Sequence, residues 1–397
     1  MPMLDTGFSP WPSFSPEEVA AVGAVLASNR VNYWTGNACR AFEREFAEWV
    51  GAEHAVALAN GTLALDVALK ALEIGPGDEV VVTPRTFLAS ASSIVLAGAT
   101  PIFADVDPDS QNITAGTIRA VLTPRTKAVI CVHLAGWPCD MDPIMALART
   151  HGLAVIEDCA QAHGARYKGR AVGTIGDVGA WSFCQDKIMT TGGEGGMVTT
   201  NRRDLWERMW SYKDHGKSWE AVYERKHPVG FRWVHESFGT NWRMMEMQAA
   251  IGRIQLERMP EWSRLRRANA SVLAEALSTC ASVRVPGPPA DISHAWYKFY
   301  AFVEPQHLEP GWTRDRILAE INAAGVPCYA GTCSEVYLEK AFEHTGWRPE
   351  RRLPVAQRLG ETSLMWLVHP TLTEAEMART AEVSRAVLTM AARRAAA

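Results

Sequence analysis

Several signals are missing from this chain, and each absence removes a class of protein. None of its eight cysteines (39, 131, 139, 159, 184, 280, 328 and 333) belongs to a Cys-x-x-Cys pair. Several sit inside apolar runs, as Cys131 does in Ala128-Val129-Ile130-Cys131-Val132, which predicts reduced, buried thiols rather than a disulfide framework. No apolar run approaches the roughly 20 residues of a membrane-spanning helix. The N-terminus lacks the basic-then-apolar pattern of a secretory signal. The expectation is a cytoplasmic protein with no membrane partner. The 40 basic and 44 acidic side chains give a net charge of −4, and no stripe of lysine and arginine forms, which argues against nucleic acid as a partner. There is no internal repeat, and no glycine-rich dinucleotide fingerprint follows the first strand.

What is present points to a large α/β chain. At 397 residues the length exceeds one ordinary core, so two domains are expected. Short apolar runs alternate with amphipathic stretches between about 50 and 200. They predict strands at His54–Ala59, Glu79–Thr83, Pro101–Ala104, Ala128–His133, Leu153–Glu157, Ala180–Phe183 and Met197–Thr200. Helical patterns such as Thr62–Leu72 and Asp142–His151 lie between them. Alternation of this kind implies a mainly parallel sheet covered on both faces, with ligands at the carboxyl ends of strands. A helical stretch at Arg243–Leu256 leads into a helix-rich second part, with helices expected at Glu261–Leu277, Thr313–Ala324 and Thr373–Leu388. Ser15-x-x-Glu18 and Thr373-x-x-Glu376 are capping-box patterns. The expected division is a large domain over 1–255 and a smaller α+β domain over 256–397. The trailing Ala-Ala-Arg-Arg-Ala-Ala-Ala reads as a frayed end.

Chemistry-bearing residues collect at the predicted strand ends. Trp181-Ser182-Phe183-Cys184-Gln185-Asp186-Lys187 places a lysine just past a strand, before Gly192-Gly193-Glu194-Gly195-Gly196, a run suited to close backbone approach to a ligand. Asp158 closes the apolar run Leu153-Ala154-Val155-Ile156-Glu157, where an unpaired carboxylate is costly to bury. A lysine able to bond an aldehyde and an aspartate able to pair with a pyridinium nitrogen are what a pyridoxal 5′-phosphate (PLP) site requires. The alternative for Asp158 is a helix cap. Asn60-Gly61-Thr62 stands between a strand and a helix, where Gly61 and Thr62 could cradle a phosphate or serve the cap alone. Ser182 could add a second hydroxyl, Gln161 could reach a ring hydroxyl, and Phe87 could stack on a planar ring or simply pack. His163 reads as a packed or surface histidine.

These residues resemble the sugar aminotransferase family called DegT/DnrJ/EryC1/StrS, a branch of fold-type I PLP enzymes. The resemblance rests on Asn60-Gly61-Thr62-Leu63-Ala64-Leu65, Gly75-Pro76-Gly77-Asp78-Glu79-Val80 and Ile156-Glu157-Asp158-Cys159-Ala160-Gln161-Ala162-His163-Gly164-Ala165. It continues in Ser182-Phe183-x-x-x-Lys187, Gly193-Glu194-Gly195-Gly196 and Gly239-Thr240-Asn241-Trp242-Arg243-Met244. It implies that Lys187 holds the cofactor covalently and moves the substrate proton, and that Asp158 pairs with the pyridinium. Gln161 would bond the ring hydroxyl and Phe87 would stack, while Gly61, Thr62 and Ser182 would hold the phosphate. A second subunit would donate Asn241, giving a homodimer with shared sites. The implied reaction moves an amino group, from L-glutamate, to a keto-sugar, nucleotide-linked.

The chain departs from the family pattern in places. Arg85, in Thr83-Pro84-Arg85-Thr86-Phe87, stands where an uncharged residue is usual, and could face an anionic part of the substrate or make a surface salt bridge. Tyr329-Ala330-Gly331-Thr332-Cys333-Ser334 occupies the place of a histidine-containing loop, which implies a different sugar pocket. Trp34, Trp137 and Trp296 are candidates for sugar stacking, against plain packing. The rival readings are a PLP-dependent sugar dehydratase, which histidine in place of Lys187 would favour, a keto-inositol aminotransferase, and a non-catalytic sensor that binds cofactor or sugar.

Overall fold

The structure, a computed structural model, describes residues 7–393. Residues 1–6 and 394–397, which end the expected domains and the alanine-rich tail, lie outside the described residues. The principal sheet uses β1 (His54–Leu58), β2 (Glu79–Val82), β3 (Thr100–Phe103), β4 (Thr126–Val132) and β5 (Ala154–Asp158). After a small ribbon of β6 (Arg166–Tyr167) and β7 (Arg170–Ala171) it is completed by β8 (Val178–Ser182) and β9 (Gly196–Thr200). The spatial order is β1-β9-β8-β5-β4-β2-β3. Strands β8, β5, β4, β2 and β3 are mutually parallel, while β9 runs antiparallel to both β8 and β1. Because β9 reverses direction between them, β1 and β8 end at the same edge of the sheet. That edge therefore collects the carboxyl ends of β1, β8, β5 and β2.

The helices are α1 (Pro16–Ala27), α2 (Ala38–Val50), α3 (Gly61–Ala71), α4 (Ala89–Leu96), α5 (Ala115–Arg119), α6 (Met141–His151), α7 (Arg203–Tyr212), α8 (Trp219–Tyr223), α9 (Glu246–Leu277), α10 (Arg314–Ala323), α11 (Pro354–Thr362) and α12 (Glu374–Ala391). The strands alternate their side chains between two apolar layers, as period-2 geometry demands. Ile130 and Ile156 face Leu65 and Ile94 on one side, while Val129, Cys131 and Val155 face Ile144 and Leu147 on the other. Both faces are buried, which is why these strands read as continuous apolar runs.

The second part is built on β10 (Val283–Arg284), β12 (Phe299–Val303), β13 (Cys328–Tyr329) and β14 (Ser363–Trp366), in the order β10-β12-β14-β13; the intervening β11 (Ile292–Ser293) pairs instead with β6. The capping boxes at Ser15/Glu18 and Thr373/Glu376 both form. Two helices were expected across 243–277, but α9 is one helix of 32 residues with Pro260 inside it, and it runs through the expected boundary at 255. Proline removes one intrahelical bond. Here apolar packing on both sides keeps the helix continuous: Ala249, Leu256 and Met259 join the core around Phe42 and Phe46, and Ala270, Leu273 and Leu277 join the core of the second part.

Candidate active site

The turn after β1 forms an anion cradle from backbone alone. Asn60 is the N-cap of α3, and its Oδ1 accepts from the Leu63 amide at 3.0 Å. The preceding amides of the first turn, on Gly61 and Thr62, have no intrahelical acceptor, and they lie at the positive end of the helix dipole. Ser182, at the end of β8, packs directly on this turn: a Cβ on Gly61 would lie 2.5 Å from Ser182 Cβ and 2.9 Å from its Oγ. A Cβ on Gly196, at the start of β9, would strike the Asn60 carbonyl. Glycine at both positions is thus a steric requirement of bringing the Ser182 hydroxyl against the helix terminus.

Asp158 and its neighbour Glu157 point to opposite faces of β5 and live in opposite electrostatic surroundings. Glu157 is fully buried and saturated with donors. Its Oε1 accepts from the amides of Ile175 (2.8 Å) and Gly176 (2.7 Å), and its Oε2 accepts from Gly173 (2.9 Å) and lies 3.0 Å from His133 Nε2. Burial raises its pKa, but the His133 contact and these amides outweigh that and leave it lowered. Among the described residues Asp158 has only two donors, Ser90 Oγ at 2.7 Å and the Ala160 amide at 3.1 Å. Burial dominates and holds its pKa above the usual value, with Ser90, Ala160, Lys187 and His133 opposing. A buried carboxylate with spare acceptor capacity fits the N–H of a pyridinium ring, whereas Glu157 has none to offer.

Gln161 lies on the turn beyond Asp158. Its Oε1 accepts from the Ala135 amide at 2.7 Å, which fixes the side chain and leaves the Nε2 amide free to donate to a ring hydroxyl. The start of α4 supplies two more groups: Phe87, just before its N-cap, presents its ring to solvent with 69% of its surface exposed, and Ser90 in its first turn hydrogen-bonds Asp158. Lys187 follows β8. Its carbonyl accepts from Trp11 Nε1 at 2.8 Å, its Nζ lies 3.8 Å from Asp186 Oδ1, and the same Nζ is 5.3 Å from the centroid of the Tyr297 ring. The Tyr297 hydroxyl donates to Asp186 Oδ2. The loop beyond Lys187 turns back through Gly192 and Gly193, whose φ values of +87° and +129° suit glycine.

Sequence reasoning missed Ser90, Asp186, Tyr297 and Trp11. Only the local pattern His294-Ala295-Trp296-Tyr297-Lys298-Phe299-Tyr300, dense in polar-tipped aromatics, could have pointed to Tyr297. Arg85 does not make the surface salt bridge that was one of its two expectations. It is wholly buried, donating from Nε to Gln111 Oε1 (2.9 Å) and from Nη2 to Ser363 Oγ (2.7 Å), so it ties the β2–α4 turn to β14 and makes no surface salt bridge. His163 is packed between Trp181 and Phe183. Trp34 and Trp137 make edge-to-face contacts with Trp210 and His294, and Trp296 stacks on Phe299, so each packs against an aromatic neighbour of this chain. Among the described residues Asn241 makes no hydrogen bond to Lys187, Asp158 or Ser182; it bridges Asp214 instead. It is exposed on a segment beside β1, where the Trp242 carbonyl accepts from the Ala59 amide at 2.9 Å. Phe231, Trp233 and Phe238 are also exposed. A groove of about 1280 Å³ alongside is lined by Asp66, Tyr212, Trp219, Phe238 and Trp242.

A lysine after β8, a buried aspartate at the end of β5 and a helix-terminus anion cradle after β1, on one edge of a mostly parallel seven-stranded sheet, define a transferase of the α/β PLP-dependent type. The chain matches the model of the DegT/DnrJ/EryC1/StrS aminotransferase family over residues 12–385, and it belongs to that family. It is 37% identical over 390 residues, 98% of each chain, to a UDP-N-acetyl-3-dehydro-α-D-glucosamine 3-aminotransferase of Acidithiobacillus ferrooxidans. Among solved structures, an aminotransferase from Psychrobacter cryohalolentis is 64% identical with a TM-score of 0.94, covering 95% of this chain and 97% of that one. DesV of S. venezuelae, solved in complex with a ketimine intermediate, is 34% identical with a TM-score of 0.83 over 94% of each chain.

Proposed function

We propose that this protein uses PLP to transfer an amino group from an amino-acid donor, L-glutamate, to the carbonyl of a nucleotide-linked keto-sugar. The observation that carries the reading is the common sheet edge shared by Lys187, Asp158 and the Gly61–Thr62–Ser182 cradle. The name of the Acidithiobacillus relative, a nucleotide-linked keto-sugar aminotransferase, supports the acceptor class. When bound, the cofactor supplies an electron sink for the charge left as the donor loses its Cα proton. Gly61, Thr62 and Ser182 would hold its phosphate, Asp158 would accept from its ring nitrogen, Gln161 Nε2 would donate to its ring hydroxyl, and Phe87 would cover one face. Lys187 Nζ would bond its aldehyde and, once released by the donor, take the Cα proton. Tyr297 and Asp186 fix the approach of that amine. The two half-reactions use one site in turn, which is ping-pong chemistry.

The site is read as shared between two copies of the chain, with Asn241 donated across the interface. Exposed Phe231, Trp233 and Phe238 support this reading, as do Asp66 Oδ1 and Ser93 Oγ, buried and, among the described residues, unpartnered in the neighbouring groove. The test is the visible absorbance of purified protein with PLP, before and after L-glutamate, beside Lys187→Ala. The expected result is a cofactor band that glutamate converts to the amine form in wild type alone. Equal spectra for the two proteins would remove the aminotransferase reading.

A further inference from the structure

Two lysines meet the ring of Tyr297. Lys187 Nζ lies 5.3 Å from its centroid and Lys298 Nζ 4.8 Å. The segment that carries Tyr297 and Lys298 is held in a conformation its side chains resist. Trp296 has φ +52°, where a bulky residue persists only if its surroundings fix it. The fixing bonds are present: Trp296 N to His294 Nδ1 (2.8 Å), Ala295 N to the Gly136 carbonyl (2.8 Å) and Tyr297 N to the Ala135 carbonyl (2.9 Å). Ala135 itself has φ +56° and donates its amide to Gln161 Oε1. The same bonds set Lys298 beside the Tyr297 ring that Lys187 also approaches.

The charges around this point do not balance. Lys187 and Arg266 both act on Lys298, and among the described residues Asp186 is the one carboxylate acting on it. Arg266 is buried, with Nε and Nη2 unpartnered among the described residues. His163 and His369, nearby, are pushed down to about 3, first by burial and then by these cations, so both are neutral and neither offsets the positive charge. Lys298 is half-buried, and among the described residues it makes no hydrogen bond or ion pair. Burial is the main force lowering its pKa to about 8; Arg266 and Lys187 add to that and Asp186 opposes it. An ammonium in such a field is completed by an anion. If Lys187 is engaged with the cofactor, two cations still face one carboxylate.

We propose that Lys298 is the specificity residue that meets the anionic group of an incoming substrate at the Lys187 site, a carboxylate of the amino donor or a carboxylate or phosphate of the keto-sugar. The proposal rests on the aminotransferase reading, and its test separates the two. Calorimetric titration of the PLP-loaded protein with 2-oxoglutarate and, separately, with UDP is compared among wild type, Lys298→Met and Lys298→Arg. The methionine variant is expected to bind one ligand about 10- to 100-fold more weakly, the size of a lost charge-assisted hydrogen bond. Arginine should restore affinity to within a few-fold. Loss for 2-oxoglutarate assigns the donor carboxylate, loss for UDP assigns the nucleotide, and loss for both marks a shared anion site. Unchanged affinity for both ligands, no binding of either by wild type, or a loss that arginine leaves unrestored overturns the proposal. If Lys298→Met does not fold, Lys298→Gln takes its place. A wild type that binds these anions yet never exchanges an amino group refutes the aminotransferase reading and leaves Lys298 to be judged by binding.

Discussion

Adjacent carboxylates on β5 should respond to neutralisation in opposite ways. Glu157→Gln replaces one of two oxygens, each facing two donors, with an NH2 group. Whichever way the amide turns, two hydrogen bonds to a charged acceptor are lost and donors confront donors in a buried site. At about 1.5–3 kcal/mol for each such bond, two lost bonds cost about 3–6 kcal/mol. Asp158→Asn loses far less. The asparagine oxygen keeps the Ala160 amide, and its nitrogen can donate to Ser90 Oγ, which can turn its own hydrogen toward Thr86 Oγ1, 2.8 Å away. The folded pKa of Asp158 is raised, so its charge opposes folding above its unfolded pKa, and removing that charge should leave the cofactor-free protein as stable at pH 7 or more so. Glu157, with a lowered folded pKa, contributes stability present above the unfolded carboxylate pKa and lost as pH falls through the folded one. The assay is urea unfolding of both cofactor-free variants at pH 7 and pH 5, with PLP titration beside it. Asp158→Asn should weaken PLP about 10- to 100-fold through the lost contact to the ring cation. The reasoning is refuted if Asp158→Asn unfolds as readily as Glu157→Gln, or if it binds PLP like wild type.

Gly61→Ala should lower stability by about 1–3 kcal/mol through overpacking against Ser182, and phosphate affinity should fall with it; thermal unfolding with and without inorganic phosphate measures both. Paired substitution of Trp233→Ser and Phe238→Ser should weaken self-association without unfolding the chain, because both side chains are exposed in the isolated fold; sedimentation velocity reads the shift, and an unchanged sedimentation coefficient would count against the shared site. Arg85→Met should lower cofactor affinity less than Asp158→Asn, since Arg85 acts through Gln111 and Ser363 rather than on the ligand; the PLP titration ranks the two.

What could be read from the sequence was whatever depends on local spacing. The strands of the principal sheet fall within a residue or two of the runs that predict them, because both faces are buried and apolar character is continuous along β2, β4 and β5. Strand-end residues follow from strand ends, so Lys187, Asp158 and the Gly61 turn were legible for the same reason. The failures share one cause, contacts between residues far apart in the chain. Pro260 breaks a helix in local terms, and only packing against two separate cores keeps α9 whole. A charged Arg85 suggests either solvent or a ligand until Ser363, 278 residues away, supplies an acceptor. Tyr297 and Lys298 reach Lys187 only because the backbone of Ala135 and Gly136 binds the strained Trp296 segment. Those bonds are made by main-chain amides and carbonyls, which every residue carries, so no side-chain pattern announces them. The same argument says where this chain should tolerate change. Substitutions at Ala135 that keep its left-handed conformation, glycine above all, should preserve the site, whereas a β-branched residue there should displace Gln161, Tyr297 and Lys298 together.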